Sequence, residues 1–194
     1  MKNLFSLLII SSMLFVSACS GDATNDKNKT GADNQNTSSE SKTEVKVGLN
    51  VGERAPDLEY PSPDGELIKL SSLRGKMVLI DFWAGWCPPC RRENPNIVRT
   101  YEQFKDTEFE NGDGFTVYSV SLDRTKDMWV NAIREDNLKW RYHVSDLKYW
   151  ESVPAAIYQV RGIPANWLID GDGVIIARGL RGEALPAKLR ELAK

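Results

Sequence analysis

The amino-acid sequence predicts an α/β protein in which helices pack against a central mixed β-sheet. After residue 77, apolar runs typical of buried strands alternate with segments of helical periodicity, which is the pattern of an α/β sandwich. Near the carboxyl end, two apolar strands are joined by DGDG at 170–173, a sequence typical of a tight hairpin. A hairpin adds an antiparallel pair to strands that are otherwise connected through helices, so the sheet is expected to be mixed.

The elements of the first half follow from local patterns. Turn residues SPDG at 62–65 lie between two short extended segments and predict an N-terminal β-hairpin. The run MVLIDFWA at 77–84 suits a strand that is covered on both faces. Apolar side chains within 97–104 recur at i, i+4 and i+7, so a helix follows the cysteines, and Pro95 inside it should cause a kink.

The second half continues the alternation. GFTVYSVSLD at 114–123 predicts the next buried strand, and RTKDMWVNAIRED at 124–136 has the apolar spacing of a helix. VPAAIYQV at 153–160 favours a short helix. The two hairpin strands lie in 166–179, and a last helix follows in 183–194.

The first 18 residues have the pattern of a secretory signal peptide. Lys2 precedes a short apolar run, Leu4–Val16, which lacks the roughly 20 residues of a membrane-spanning helix. VSAC at 16–19 resembles the bacterial lipobox, in which the cysteine is acylated after residues 1–18 are removed. The resemblance implies several acyl chains on Cys19 and hence a stable membrane anchor. The alternative is an ordinary signal peptide that leaves this cysteine as an unpaired thiol.

Residues 19–47 are predicted to form a flexible tether. From Ser20 to Val47 the chain is rich in Asn, Ser, Thr, Asp and Lys and contains no aromatic residue, so it cannot bury enough surface to offset its ordering entropy. As a coil it would span roughly 30 Å. A low-complexity binding segment is the alternative. The folded domain is expected at 48–194, the usual size of one domain.

The charge of the chain is nearly balanced, with 25 Lys and Arg against 27 Asp and Glu. Removal of the signal peptide would also remove Lys2, which leaves 24 basic residues and a net charge of −3. The sequence contains no basic block, so it gives no support to nucleic-acid binding.

The motif CPPC at 87–90 has three possible interpretations. A tetrahedral zinc site needs four ligands, whereas one CxxC supplies two and His143 is the only histidine. A structural disulfide across so small a loop would remove little chain entropy. A redox pair fits the placement best, because the motif follows a buried strand and begins a helix.

Cys87 is predicted to be the attacking thiol of this pair. Unpaired N–H groups and the dipole at the helix amino end stabilise its thiolate. Cys90 lies one turn further along and is expected to be more buried and to resolve the mixed disulfide. Pro88 does not destabilise the helix at its first position, because the N–H that proline lacks would have no partner there. Pro89, in contrast, removes one of two N–H groups that could reach the Cys87 sulfur, so we predict a more reducing couple than that of strongly oxidising CxxC enzymes.

Several segments are similar to one known superfamily. DFWAGWCPPC at 81–90, with Pro95 five residues beyond the second cysteine, resembles the thioredoxin superfamily. The segments at 52–76 (GERAPDLEY to LRGK) and 158–179 (YQVRGIPANW to IARG) resemble its membrane-anchored bacterial branch, the TlpA/ResA-type thiol–disulfide oxidoreductases. The resemblance covers 50–194. It implies the thioredoxin fold with an N-terminal β-hairpin extension, and a redox-active disulfide that needs no cofactor.

The same resemblance implies roles for individual residues. Cys87 would be the nucleophile and Cys90 the resolving thiol. Pro164 in GIPA would be a cis-proline that faces the cysteines, and the backbone of Ile163 would pair with an extended substrate chain. Trp86 would flank the exposed sulfur as a contact surface. For the GIP sequence by itself, a plain turn is the alternative.

Asp81 lies inside the apolar run VLIDFW, where burial should raise its pKa. It matches the buried acid of thioredoxins that is thought to take the proton from the second cysteine, here Cys90. Two features depart from that pattern: the next strand contains no lysine, and members of the anchored branch often lack this acid. The alternative is that Asp81 only forms a hydrogen bond with a hydroxyl or a water and takes no part in proton transfer.

The segment KWRYHVSDLKYW at 139–150 is dense in aromatic residues. Its tryptophans, like Trp129 and Trp167, are expected in the core or a groove, and one hypothesis is that the segment lines a substrate groove. The part at 142–146 is too short to assign, and its histidine is expected to be a strand or surface residue. RGLRGE at 178–183 is expected to be a solvated loop.

These patterns and the family resemblance together predict a lipid-anchored, monomeric thiol–disulfide oxidoreductase that faces the periplasm or the cell exterior. It would reduce disulfides of exported proteins, for example those of apocytochromes. An oxidising compartment supplies no electrons, so a membrane-embedded thiol donor is implied. Ser20 after Cys19 favours the outer membrane in a cell with two membranes.

Two other function classes stay open at this point. Peroxiredoxins share the thioredoxin fold and a G…APD beginning, but they usually carry Thr or Ser three residues before the peroxidatic cysteine, where this chain has Ala84. A non-catalytic lipoprotein that only binds a partner would keep its function when both cysteines are replaced.

Overall fold

The computed structural model describes residues 45–194. The predicted signal peptide, the acylation site Cys19 and almost all of the tether lie outside the described residues, so those expectations stay predictions, as does the domain boundary at residue 48. In chain order the helices and strands are β1 (Glu59–Pro61), β2 (Leu67–Lys69), β3 (Met77–Trp83), α1 (Pro88–Phe104), β4 (Glu108–Phe109), β5 (Gly112–Asp113), β6 (Phe115–Ser121), α2 (Lys126–Glu135), β7 (Tyr142–Val144), α3 (Val153–Ile157), β8 (Ala165–Ile169), β9 (Ile175–Arg178) and α4 (Ala184–Leu192).

A five-stranded mixed sheet in the order β7-β6-β3-β8-β9 forms the centre of the domain. Strands β3, β6 and β7 pair in parallel, whereas β8 and β9 run antiparallel to their neighbours. All seven residues of β3 and all seven of β6 are buried, as expected of apolar strands at the middle of an α/β sheet. The predicted mixed sheet is therefore confirmed.

A four-residue loop, 84–87, connects β3 to helix α1, and the CPPC motif spans the start of that helix. Two prolines at its start fit positions whose N–H groups have no partner within a helix. The helix continues without a break through Pro95, and its buried side chains, among them Ile97 and Phe104, fix the face that packs on the domain. Since β3 is central and α1 packs on the domain through these side chains, the motif lies at one end of the sheet.

The N-terminal hairpin β1–β2 is present as predicted and is tied to the central sheet. The hydroxyl of Tyr118 in β6 donates to the carbonyl of Ile68 in β2, and the N–H of Ser145, which follows β7, donates to the carbonyl of Pro61 in β1. Within residues 45–194, no helix is both long and apolar enough to cross a membrane.

Several short elements were not predicted. The segment 142–144 is the edge strand β7, and β4 and β5 are strands of two residues each that pair as a hairpin. Leu70–Leu73 and Tyr149–Glu151 are turns of 3₁₀-helix. Each is too short to show a hydrophobic period. Their structure is decided by contacts with the rest of the domain rather than by local sequence.

Candidate redox site

Cys87 and Cys90 form a disulfide, with their sulfurs 2.08 Å apart, where β3 passes into α1. Both residues are buried, with 2% and 1% of their surface exposed. The expected exposure of Cys87 is therefore wrong for this oxidised state, whereas Cys90 is slightly the more buried of the two, as expected. The reason is the opposing loop: the Cys87 sulfur lies 3.8 Å from the carbonyl oxygen of Ile163.

One backbone N–H points at the Cys87 sulfur. Cys87 is the N-cap of α1, and its Sγ accepts a hydrogen bond of 3.2 Å from the N–H of Cys90. Pro89 lies between them and has no N–H to donate. Part of the stabilisation that a helix amino end can give to an anion is therefore missing here.

The loop that faces the cysteines contains Ile163 and Pro164, and the peptide bond between them is cis. Arg181 holds this loop by donating a hydrogen bond to the carbonyl of Pro164. In addition, the N–H of Gly182 donates to Glu93 on α1 at 2.7 Å. The segment 178–183 is mostly exposed, as expected of a solvated loop, and these contacts also make it a bridge between α1 and the cis-proline loop.

Asp81 is buried in β3, and its Oδ1 has no hydrogen-bond partner within the described residues. Burial raises the pKa of this carboxyl to about 7; the charge of Arg181 opposes the increase and that of Glu93 adds to it. An uncompensated carboxyl with a pKa near neutrality can take up and release a proton under ordinary conditions.

Glu93 was missed by the sequence reasoning, although its place on α1 gave a signal. It lies three residues after Cys90, one helical turn along, so it faces the same side of the helix as that cysteine. The site therefore has two neighbouring carboxyl groups, of which Asp81 is buried and Glu93 is tied to Gly182.

Asp123 was also missed, and it fixes the loop that leads into Cys87. Its carboxylate is fully buried and accepts the N–H of Gly85 with both oxygens, at 2.9 and 3.2 Å. The hydroxyl of Ser121 donates to the same carboxylate at 2.7 Å. Arg91 in turn donates to the carbonyl of the same glycine at 3.2 Å. The loop is thus held through both the N–H and the C=O of Gly85.

Trp86 stands at the edge of the site, half-buried. Its indole N–H donates to the carbonyl of Leu122 at 3.1 Å, and its ring packs against Tyr149 and Trp150 with centroids 4.9 and 6.0 Å apart. The groove hypothesis therefore fits the end of the aromatic segment. Trp129, Trp140 and Trp167, in contrast, are buried core residues.

Comparison with known proteins supplies the family of this chain. The sequence profile described as the AhpC/TSA family matches residues 51–178. The chain belongs to the AhpC/TSA family. Among solved structures, this member is similar to the thioredoxin domain of a thiol-disulfide oxidoreductase from Bacteroides vulgatus, with 35% identity, a TM-score of 0.66, and coverage of 74% of this chain and 98% of that domain.

Two further similarities agree with this assignment. A thiol-disulfide oxidoreductase from Bacteroides fragilis NCTC 9343 shares 33% identity, with a TM-score of 0.64 and coverage of 72% of this chain and 98% of the other. The thiol-disulfide oxidoreductase ResA of Bacillus thuringiensis subsp. konkukian (strain 97-27) is 28% identical over 146 residues, 75% of this chain and 78% of that protein.

These similarities decide between the function classes left open by the sequence. They confirm the thioredoxin-like fold, the ResA-type assignment within the AhpC/TSA family and the enzyme class of thiol–disulfide oxidoreductase. The Cys87–Cys90 pair that such an enzyme requires is present. The peroxidase and the non-catalytic binding protein are not favoured.

Proposed function

We propose that this thiol–disulfide oxidoreductase reduces disulfide bonds of exported proteins by cycling Cys87 and Cys90 between dithiol and disulfide. One arrangement carries the proposal: a cysteine at the amino end of α1, a second one turn further, and the backbone of Ile163 within 3.8 Å of the first sulfur. Disulfide-containing proteins are the substrate class that the oxidoreductase relatives imply.

In the first step, the Cys87 thiolate attacks one sulfur of the substrate disulfide. The substrate S–S bond breaks, a Cys87–substrate disulfide forms, and the released substrate thiolate takes a proton from solvent. The helix amino end and the Cys90 N–H stabilise the attacking anion. An extended substrate chain would pair with the backbone of Ile163 beside the cis-proline Pro164, as in a short strand addition.

In the second step, Cys90 releases the substrate. Its thiol loses a proton to the carboxylate of Asp81, whose pKa of about 7 suits a base at neutral pH. The Cys90 thiolate then attacks the sulfur of Cys87, so the mixed disulfide breaks and the second substrate thiolate leaves and is protonated. Two electrons have passed from the cysteine pair to the substrate, and Cys87–Cys90 is now the disulfide.

Another turnover requires two electrons to return to the pair. An oxidising compartment does not provide them, so we assign the role of donor to a dithiol of a membrane-embedded protein, with no small-molecule cofactor. Acylation of Cys19 would keep the enzyme at the membrane surface that this donor occupies, facing the periplasm or the cell exterior. Apocytochrome cysteines are one group of substrates that such an enzyme would reduce.

Trapping tests the proposal directly. In full-length protein with Cys90→Ala, the mixed disulfide cannot be resolved, so substrates should accumulate as adducts that disappear on reduction and can be identified by mass spectrometry. The matched control carries both Cys87→Ala and Cys90→Ala and should give no adducts. Equal adducts with both variants, or none with either, would overturn the proposal.

A further inference from the structure

A patch of three aromatic rings lies beside the nucleophile. We call Trp86, Tyr149 and Trp150 the aromatic platform. All three pairs of rings are in contact. The ring centroid of Trp86 lies 4.9 Å from that of Tyr149 and 6.0 Å from that of Trp150, and the centroids of Tyr149 and Trp150 lie 6.0 Å apart. Trp86 directly precedes Cys87 in the chain, so the platform is continuous with the redox site.

The chain is held in a strained conformation to build this platform. Leu147 and Tyr149 both have positive φ angles, 56° and 55°, which are uncommon for large side chains. The hydroxyl of Ser145 accepts the N–H of Leu147 at 3.0 Å, and the carboxylate of Asp146 accepts the N–H groups of Lys148 and Val153. Three hydrogen bonds thus fix a backbone that places Tyr149 on Trp86.

The platform leaves apolar surface open to solvent. Trp150 is 42% exposed, and Leu147 nearby is also exposed. Next to the rings is an open cleft of about 580 Å³, lined by Arg124, Leu147, Lys148, Tyr149, Trp150 and Glu151. Exposed aromatic side chains in a fixed geometry are typical of a surface that binds another molecule.

Two of the three charged residues that line the cleft are basic. Arg124 stacks on the Tyr149 ring at 4.3 Å, which leaves the edge of its guanidinium group available. Lys148 and Glu151 complete the charged lining. Within residues 45–194, neither Arg124 nor Lys148 forms an ion pair. The cleft is therefore complementary to a carboxylate rather than to a cation.

We infer that the aromatic platform and its cleft bind the extended segment of the substrate protein that flanks its reactive cysteine, and that they favour a segment with a large apolar side chain and a carboxylate. This rests on the proposed function, because the platform begins at Trp86, the residue next to the cysteine to which a substrate would be joined. The Ile163 backbone would bind any sequence, whereas the platform would select among sequences.

The test measures single-turnover reduction of three disulfide-linked peptides by reduced full-length protein. The peptides are identical except beside the cysteine, where they carry Trp and Glu, Ser and Glu, or Trp and Lys. The Trp–Glu peptide should react about five- to tenfold faster than the Ser–Glu peptide, as expected for an added aromatic contact. Trp150→Ser should reduce this preference to less than twofold, and Arg124→Gln should reduce the preference for Glu over Lys.

Leu67→Ser is the matched control, because it removes an exposed apolar side chain from the β1–β2 hairpin and should leave both preferences unchanged. Equal rates with all three peptides in the unmodified protein, or a preference that Trp150→Ser retains, would overturn the inference. So would a dimer that Trp150→Ser dissociates in analytical ultracentrifugation, because a second copy would then occupy the platform. If none of the peptides is reduced, the proposed function itself fails.

Discussion

The N–H of Cys90 donates to the sulfur of Cys87 at 3.2 Å, and the residue between them that could add a second donor is proline. A thiolate with fewer donors is less stable, and an unstable reduced form makes the couple more reducing. This relationship links the CPPC sequence to the reducing direction proposed for the enzyme.

Replacing Pro89 by alanine should make the couple more oxidising. The new N–H can donate to the Cys87 thiolate, and a hydrogen bond to a charged acceptor contributes about 1.5 kcal/mol or more, equivalent to roughly 30 mV. We expect a reduction potential of about −270 mV for the unmodified protein. The potential of the variant should be less negative by at least about 30 mV. Equilibration with glutathione buffers measures both potentials.

Pro88→Ala is the control for this experiment. It restores an N–H at the first helical position, which is not one of the two groups that can reach the sulfur. Its reduction potential should stay within about 10 mV of that of the unmodified protein, well below the change expected when a hydrogen bond to the thiolate is added. A potential near about −120 mV for the unmodified protein would contradict the reducing role.

Asp81→Asn should change the pH dependence of stability. Asp81 has a pKa of about 7 when folded against an ordinary value of 3.8, so the folded state holds the proton more tightly. The contribution of this group to stability is complete below about pH 4, declines as the pH rises, and levels off above about pH 7. As the pH rises from 4 to 8, the free energy of unfolding of the variant should increase by a few kcal/mol relative to that of the unmodified protein, at about 1.4 kcal/mol per pKa unit.

Urea unfolding of the two proteins at several pH values measures this difference. Taking the difference cancels the groups that the two proteins share. A difference that stays constant between pH 4 and 8 would show that Asp81 titrates as an ordinary carboxyl.

The same substitution should slow the second step of the reaction more than the first. Asparagine cannot accept the Cys90 proton, so the mixed disulfide should resolve about a hundredfold more slowly, the lower end for a positioned base. Stopped-flow measurement of adduct formation and decay separates the steps. Equal decay rates would assign the proton acceptor role to solvent or to Glu93.

Sequence reasoning identified what depends on local pattern. The apolar strand MVLIDFW, the helix that begins with CPPC and the hairpin around DGDG are each decided by residues that are neighbours in the chain. Asp81 could be singled out in the same way, because a lone acid in an apolar run is conspicuous in the sequence itself.

Sequence reasoning failed where the partner is distant in the chain. Asp123 appears as an ordinary polar residue after a strand, and only the parallel pairing of β3 with β6 brings it to Gly85, 38 residues away. Tyr149 reaches Trp86 only because the backbone adopts a positive φ, which no propensity for tyrosine predicts.

Replacing Asp123 by alanine should loosen the loop that carries Trp86 into Cys87. The buried N–H of Gly85 would lose both acceptor oxygens, and an unpaired buried donor costs about 1–3 kcal/mol. We expect that loss in urea unfolding, together with a lower rate of substrate attack. Ser121→Ala removes a hydroxyl that donates to the Asp123 carboxylate and accepts the Asp123 N–H at 3.0 Å, so it should also reduce stability by about 1–3 kcal/mol. Because the Gly85 N–H keeps both acceptor oxygens, this variant should leave the rate of substrate attack nearly unchanged.

Asp123→Asn keeps one oxygen for the Gly85 N–H and should recover part of the rate lost in the alanine variant. If Asp123→Ala unfolds more easily yet attacks substrate at the normal rate, the carboxylate supports the fold but does not position the nucleophile.

The most direct test of the central claim is the rate at which the reduced protein reacts with iodoacetamide across a pH series, followed at Cys87 by mass spectrometry. Stabilisation of a thiolate at the start of α1 predicts that the rate reaches half its plateau below about pH 7.5, with Cys87 reacting well before Cys90. A midpoint near about pH 8.5, the value of an ordinary exposed thiol, or preferential reaction of Cys90, would contradict the assignment of Cys87 as the nucleophile.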